Sequence, residues 1–289
     1  MSTSAVVNDE GVEAFARDGF VVVPGLLDPD ELDRFAPAVD AGVAARKQHD
    51  TRALAEKSRY EQSFIQCINL WEDCPGVRPL TFHPRIAEAA ARLLRAPAVR
   101  LWHDQALYKE PGGRVTDPHQ DHGYWPIAEP DAVTAWIPLD GSTLAGGAMG
   151  YLPGSHRLGI RKFVNIFVGE PEPILEGDDL KAIDPVFVEV PKGGVAFHHG
   201  LTFHLANPNT TGSVRRVHTA IYFRDGCTRG SEHQHPSVDR GGIEVGGTID
   251  GEVTPIAWPR PLGDLPDAPD PLERSYGGIW PGKPDGSLT

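Results

Sequence analysis

The stretch Asp117 to Pro126, DPHQDHGYWP, sets His119, Asp121 and His122 within four positions, beside Tyr124 and Trp125. In extended backbone, side chains two apart share a face, so His119 and Asp121 can offer an imidazole nitrogen and a carboxylate oxygen to one ion while Gln120 turns away. With 12 histidines and 40 acidic residues in the chain, about one such triplet arises by chance, so a third donor is needed. The stretch GGVAFHHGLTFHLANPNTTGSVRR offers three: His198, His199 and His204. His204 closes an apolar run just before the turn NPNTTG, after which the chain returns as VRRVHTAIYF. On that return Arg215, Val217, Thr219 and Ile221 share one face, and if the apolar pair points inward then Arg215 does too. A buried guanidinium is costly unless it meets an anion, and its planar fork suits a carboxylate.

Two histidines and one carboxylate form the facial set of non-haem Fe(II) oxygenases, which leaves three positions open for a co-substrate and dioxygen. An interior arginine then suits a dicarboxylate co-substrate. The competing readings are that His204 merely ends a strand and that Arg215 pairs with a surface acid.

These residues need strands to carry them. From residue 99 onward short β-prone segments alternate with turn signals: VRLWHDQALYKE, AVTAWIPLD, GAMGYLPGSH, VFVEVPKGG, VAFHHGLTFHLA and RRVHTAIYFR. That texture predicts a sandwich or barrel, not a βαβ repeat. The first third, residues 1–97, reads as mainly helical support. A short helix over 9–18 precedes the β-branched run GFVVVPGLL. In DPDELDRF, Asp28 can cap a second helix, Pro29 sits where its missing N–H costs nothing and Glu31 completes a capping box; Leu32, Phe35 and Val39 give the stripe, with a kink expected at Pro37. HPRIAEAAARLLRA (83–96) is the clearest helix, with Ile86, Ala89, Ala90, Leu93 and Leu94 on one face. Residues 159–186 read as an acidic insertion over one end of the barrel, and 226–289 as a C-terminal extension in which GGIEVGGTIDGEVTPIAW suggests one hairpin. No internal repeat or linker divides residues 1–289, so a single domain is expected.

Composition narrows the function. A formal net charge of −13 and no basic block argue against nucleic-acid or anionic-membrane partners, since phosphate binding needs a clustered positive face. The opening MSTSAVVNDEGVEAF has neither a basic segment nor an apolar one, and a cytoplasmic location is expected. Three cysteines, Cys67, Cys74 and Cys227, have no CxxC spacing and read as reduced thiols. In SEHQHP, His233 and His235 are a weak chelate candidate, with a solvated loop the favoured reading.

The order AFARDGFVVVPGLLDPDEL, ALYKEPGG, His119 to Asp121, GYLPGSHR and HLANPNTTGSVRR resembles the phytanoyl-CoA dioxygenase family of Fe(II)/2-oxoglutarate oxygenases, over roughly residues 10–225. In that family the distal histidine stands eleven residues before the arginine that holds 2-oxoglutarate, and His204 and Arg215 keep that interval. The resemblance implies a mainly β fold with flanking α-helices, built on a double-stranded β-helix (jelly roll, cupin-like) core. It implies Fe(II) on His119, Asp121 and His204, with 2-oxoglutarate and dioxygen as co-substrates, and 2-oxoglutarate held by Arg215 with Gln105 and Trp136 lining its pocket. It departs from the common pattern where a Gly-Ser pair usually follows the distal histidine; Leu205 and Ala206 stand here, which removes one hydroxyl from the co-substrate site. Tyr124 and Trp125 are expected to wall a substrate cavity, and Phe64, Gln66, Asn69 and Trp71 to cross its mouth. His122 is expected to support the site or lie exposed.

The implied activity is hydroxylation of a C–H bond in a small molecule of secondary or catabolic metabolism. Asp121 favours it over halogenation, which needs a small residue there to admit chloride. Desaturation, epimerisation and ring formation use the same iron site. A reading from another class is a non-catalytic cupin-like protein that binds a ligand or metal.

Overall fold

The computed structural model describes residues 6–161, 178–261 and 263–270. Helix α1 (Asp9–Asp18) starts where the Asn8 carboxamide accepts the Gly11 N–H at 2.8 Å and stops at Gly19, whose φ of 82° admits no side chain. Strand β1 (Phe20–Val23) follows, then α2 (Pro29–Lys47), capped by the Asp28 carboxylate on the Asp30 N–H at 2.9 Å. Glu31 does not close a capping box; it reaches His83 and Arg85. Pro37 does not end α2, which runs on and buries Leu32, Ala36, Val39 and Val43. Packing of that face outweighs one lost backbone hydrogen bond.

Strand β2 (Ile65–Ile68), two single-turn helices α3 (Leu70–Asp73) and α4 (Arg78–Thr81) and then α5 (Pro84–Leu93) complete the N-terminal part. The strands β3 (Val99–Lys109), β4 (Thr116–His119), β5 (Ala132–Pro138) and β6 (Met149–Tyr151) come next, then α6 (Asp178–Lys181), β7 (Val186–Val188), β8 (Val195–His199), β9 (His204–Ala206) and β10 (Arg215–Arg224). Helix α7 (Pro236–Asp239) and β11 (Ile256–Trp258) close the described chain.

Two antiparallel sheets result: a large one in the order β1-β8-β5-β10-β3-β11, with β2 also on β3, and a small one in the order β4-β9-β6-β7. Thus β1 and β2 from the N-terminal third and β11 from the extension all enter the large sheet. The inner faces meet in a cluster of Trp136, Ala196 and Val217 from one sheet with Met149, Tyr151 and Ala206 from the other. The outer face of the large sheet carries Leu101, Ala106, Val133, Ala135, Ala220 and Tyr222 under the helices, where α5 contributes Ile86, Ala89, Ala90 and Leu93. This is the mainly β, helix-flanked architecture expected, and its antiparallel sheets are not closed into a barrel.

One polar knot lies within that outer layer. Asp104 of β3 is fully buried and accepts the Thr81 hydroxyl at 2.7 Å and the Trp71 N–H at 3.1 Å, while the same hydroxyl lies 2.9 Å from His218 Nε2. Burial pushes the Asp104 carboxyl up to about 7.

The expected hairpin over 241–258 does not form: Thr248 bridges Thr228, and β11 pairs instead with Val99 and Arg100 at the edge of β3. Residues 162–177 of the predicted insertion and 271–289 of the extension lie outside the described residues. Among the described residues all three cysteines are free, and no helix is long and apolar enough to cross a membrane.

Candidate metal centre and anion pocket

His119 ends β4 and His204 begins β9, and the register sets the two opposite each other. Their rings lie side by side with centroids 4.1 Å apart. Asp121 follows through an extended Gln120 (φ −112°, ψ 129°) but is not in the strand; it begins a 3-10 turn, Asp121–Tyr124. Alternation still holds across Gln120 because that residue alone must be extended. Gln120 turns away as anticipated: its carboxamide donates to Leu201 O at 2.7 Å and Gly159 O at 3.0 Å and accepts the Arg161 N–H at 2.9 Å, which pins the motif to two loops.

Asp121 Oδ1 lies 3.6 Å from His119 Nε2 and 3.5 Å from His204 Nε2, and one donor atom from each of the three residues falls within 4.8 Å of the others. On the far side of each ring, Nδ1 meets a carbonyl: Asp117 O at 2.9 Å for His119 and Thr202 O at 3.0 Å for His204. A carbonyl only accepts, so Nδ1 carries the proton and each Nε2 presents a lone pair toward Asp121. Burial lowers both imidazoles to about 4, each helped by a neighbouring histidine, so they are neutral at pH 7. Burial by itself would raise the Asp121 carboxyl, but His204, His198 and His119 around it draw it well below the usual carboxylate range. Two neutral imidazole nitrogens and one ionised carboxylate are a donor set suited to Fe(II).

Arg215, first residue of β10, is buried with its guanidinium 5.2 Å from the centroid of the Trp136 ring. Nη1 donates to Gly147 O at 2.5 Å, while Nε has no partner. Gly147 has φ 92°, and a Cβ there would lie 2.9 Å from Lys109 Cδ, so glycine is required for that carbonyl to meet the arginine. Among the described residues no carboxylate pairs with Arg215. Burial lowers it to about 10, and burial with Arg215 nearby lowers Lys109 to about 6. The pocket is thus a desolvated cation without a counter-charge, which favours an incoming anion.

The remaining predicted residues divide. Gln66 donates to Gln105 at 2.5 Å and accepts from the Tyr60 hydroxyl at 2.6 Å. Phe64 packs edge-on to Tyr60, and the Tyr124 ring is 6.3 Å from that of His119. Trp125 is buried, edge-on to His103 and to His122, in a cluster with Trp102 and Phe223. His122 is buried. Trp71 does not cross a cavity mouth: it packs on Phe82 in the outer core, on the Asp104 side of β3. Asn69 donates its N–H to Asp104 O and starts α3. The single-turn helix, invisible to periodicity, redirects both. His199 faces outward against Phe15 and His156. His235 does not sit in a solvated loop; it is buried, stacked on Trp102, and caps α7 by accepting the Ser237 N–H.

Sequence reasoning missed Tyr60 and Thr134. Thr134 donates to Asp121 Oδ2 at 2.9 Å and had a usable signal, since it shares strand parity with Trp136. Tyr60 lies in a stretch without strand pattern and had none.

The sequence pattern of the phytanoyl-CoA dioxygenase (PhyH) family matches residues 15–217. The chain is 34% identical over 122 residues to a probable alpha-ketoglutarate-dependent hypophosphite dioxygenase of Stutzerimonas stutzeri, a match covering 41% of this chain and 42% of that protein. It is 29% identical over 270 residues to phytanoyl-CoA dioxygenase of Arabidopsis thaliana, covering 78% and 93%. Its fold superimposes with a TM-score of 0.71 on the non-haem alpha-ketoglutarate-dependent carbocyclase SnoK from nogalamycin biosynthesis, at 27% identity, covering 89% of this chain and 99% of that one. The first match spans less than half of the relative, and the other two span nearly all of it. The chain belongs to the phytanoyl-CoA dioxygenase family and is an Fe(II)- and 2-oxoglutarate-dependent oxygenase.

Proposed function

We propose that this enzyme oxidises a C–H bond of an uncharged, ring-bearing small molecule, with His119, Asp121 and His204 holding Fe(II) and Arg215 anchoring the distal carboxylate of 2-oxoglutarate. The observation that carries the reading is the convergence of two imidazoles and a carboxylate within 4.8 Å in a fold whose buried Arg215 lacks a counter-charge. When bound, Fe(II) with 2-oxoglutarate and dioxygen supplies the oxidising equivalents, with carbon dioxide and succinate as by-products. The chain's own residues supply position. The Nδ1 bonds to Asp117 O and Thr202 O aim the two Nε2 atoms, and the Trp136 face steadies the guanidinium. Gln105, held by Gln66, lines the co-substrate pocket with Trp136.

The substrate class follows from charge. Near the triad stand Tyr60, His103 and Tyr124, with Trp125 edge-on behind His103. Burial raises the Tyr60 hydroxyl and lowers His103 to about 4, so both are neutral at pH 7. Nearby cations are already paired: Arg59 and Arg114 with Asp117, Arg161 with Asp179, and Lys57 with Glu110. Among the described residues, aromatic walls whose nearby arginines and Lys57 are held in ion pairs, with Arg215 assigned to the co-substrate, suit a neutral ring system better than the phosphates of an acyl-CoA. Similarity to a carbocyclase supports a second outcome, ring closure or another oxidative rearrangement without net hydroxylation.

The test is turnover. Protein reconstituted with Fe(II) and 2-oxoglutarate under oxygen should release succinate in step with modification of a neutral polycyclic substrate, and Asp121→Ala should abolish both. Full metal occupancy with no succinate across a panel of neutral and acyl-CoA substrates would instead favour a non-catalytic binder.

A further inference from the structure

We infer that His198 is a positioning residue for the iron site: with Thr134 it holds one oxygen of Asp121 so that the other alone is presented to the ion. The inference rests on the ligand assignment proposed above.

The two Asp121 oxygens have different surroundings. Oδ1 faces the ligand histidines at 3.5 and 3.6 Å. Oδ2 receives the Thr134 hydroxyl at 2.9 Å and lies 3.1 Å from His198 Nε2. Asp121 only accepts, so Nε2 is the donor. Thr134 and His198 arrive together because β5 and β8 pair with these two residues in direct register. An oxygen already serving two donors is a poor second metal ligand. Holding it therefore favours one-oxygen ligation and keeps coordination positions free for 2-oxoglutarate and dioxygen.

Packing alone does not account for a histidine here. His198 is 1% exposed, and its Nδ1 has no hydrogen-bond partner. Its register partner on β1 is Phe20, and Ala196 shares its strand face, so the surroundings suit an apolar ring. An apolar ring would carry no orphaned nitrogen, a feature that costs stability when buried. What His198 provides and phenylalanine cannot is the N–H to Asp121.

The experiment compares wild type, His198→Phe, His198→Gln and Asp121→Ala by calorimetric titration of the metal-free proteins with Co(II), with visible spectra of the Co(II) forms. His198→Phe should bind Co(II) about 10- to 100-fold more weakly, with a shifted Co(II) band and an unchanged melting temperature of the metal-free protein. His198→Gln, which keeps a donor, should recover most of the affinity and the wild-type band. Wild-type affinity and spectrum in His198→Phe would overturn the inference, as would equal weakening in the phenylalanine and glutamine variants. If His198→Phe does not fold, His198→Leu carries the same two outcomes. Failure of the underlying assignment looks different: Asp121→Ala would then bind Co(II) as tightly as wild type.

Discussion

The guanidinium of Arg215 lies over the indole of Trp136, 5.2 Å from the ring centroid, on neighbouring strands whose register sets Trp136 opposite Thr219. The ring face stabilises a cation that burial has stripped of water, and the Gly147 carbonyl takes one N–H. The other donors remain for an anion. Arg215→Lys keeps the charge and loses the fork, so 2-oxoglutarate affinity should fall at least about 10-fold, in line with roughly 1.5–3 kcal/mol for a hydrogen bond to a charged group. Calorimetry on the Mn(II)-loaded protein reads this directly. Unchanged affinity would remove Arg215 from the co-substrate site.

Metal binding should stabilise the fold, because His119, Asp121 and His204 come together only in the folded chain. At a hundredfold excess over Kd, linkage gives about 2.7 kcal/mol, which scanning fluorimetry would record as a rise of several degrees in Tm on adding Mn(II). A chelator should reverse the rise, and His204→Ala should not show it.

Stability of the metal-free protein should fall as pH drops from 6.5 toward 4. Burial lowers His103, His119 and His204 to about 4 and His218 to about 3. Between those values and 6.5 the unfolded chain takes up protons that the folded chain refuses, so acid favours unfolding. Asp104, raised to about 7, and Glu72, also raised by burial, work in the opposite direction but are outnumbered by the buried histidines, among which His199 and His235 are lowered as well. Urea midpoints at pH 4.5, 5.5 and 6.5 should therefore increase in that order; a flat series would mean that these imidazoles are not desolvated.

Asp104 offers a contrast between two substitutions. Asp104→Asn keeps an acceptor for Thr81 or the Trp71 N–H and should cost about 1 kcal/mol or less, whereas Asp104→Leu orphans both donors and should cost at least about 2 kcal/mol. Denaturant unfolding of the pair decides it: equal losses would mean that volume, not hydrogen bonding, matters at this position.

Much of the site was legible in the chain. The two-residue step from His119 to Asp121, the turn after His204 and the strand parity of Arg215 needed only the period of an extended backbone. The helices over 9–18 and 84–93 and the texture of short strands were equally readable, because capping and periodicity are local properties. Local rules failed where another element had a competing claim, as in the expected hairpin over 241–258 and at Asn69 and Trp71.

Which histidine of His198, His199 and His204 joins His119 was a different kind of question. Sequence offered all three. The antiparallel register of β4 with β9 chose His204, while the pairing of β5 with β8 brought His198 to the other oxygen of Asp121 and left His199 facing outward. Residue type and spacing establish which groups can act as donors and which share a face. Only tertiary pairing brings distant groups to within 3 to 4 Å, because that distance depends on strand register, and register is decided by the burial of both sheets at once.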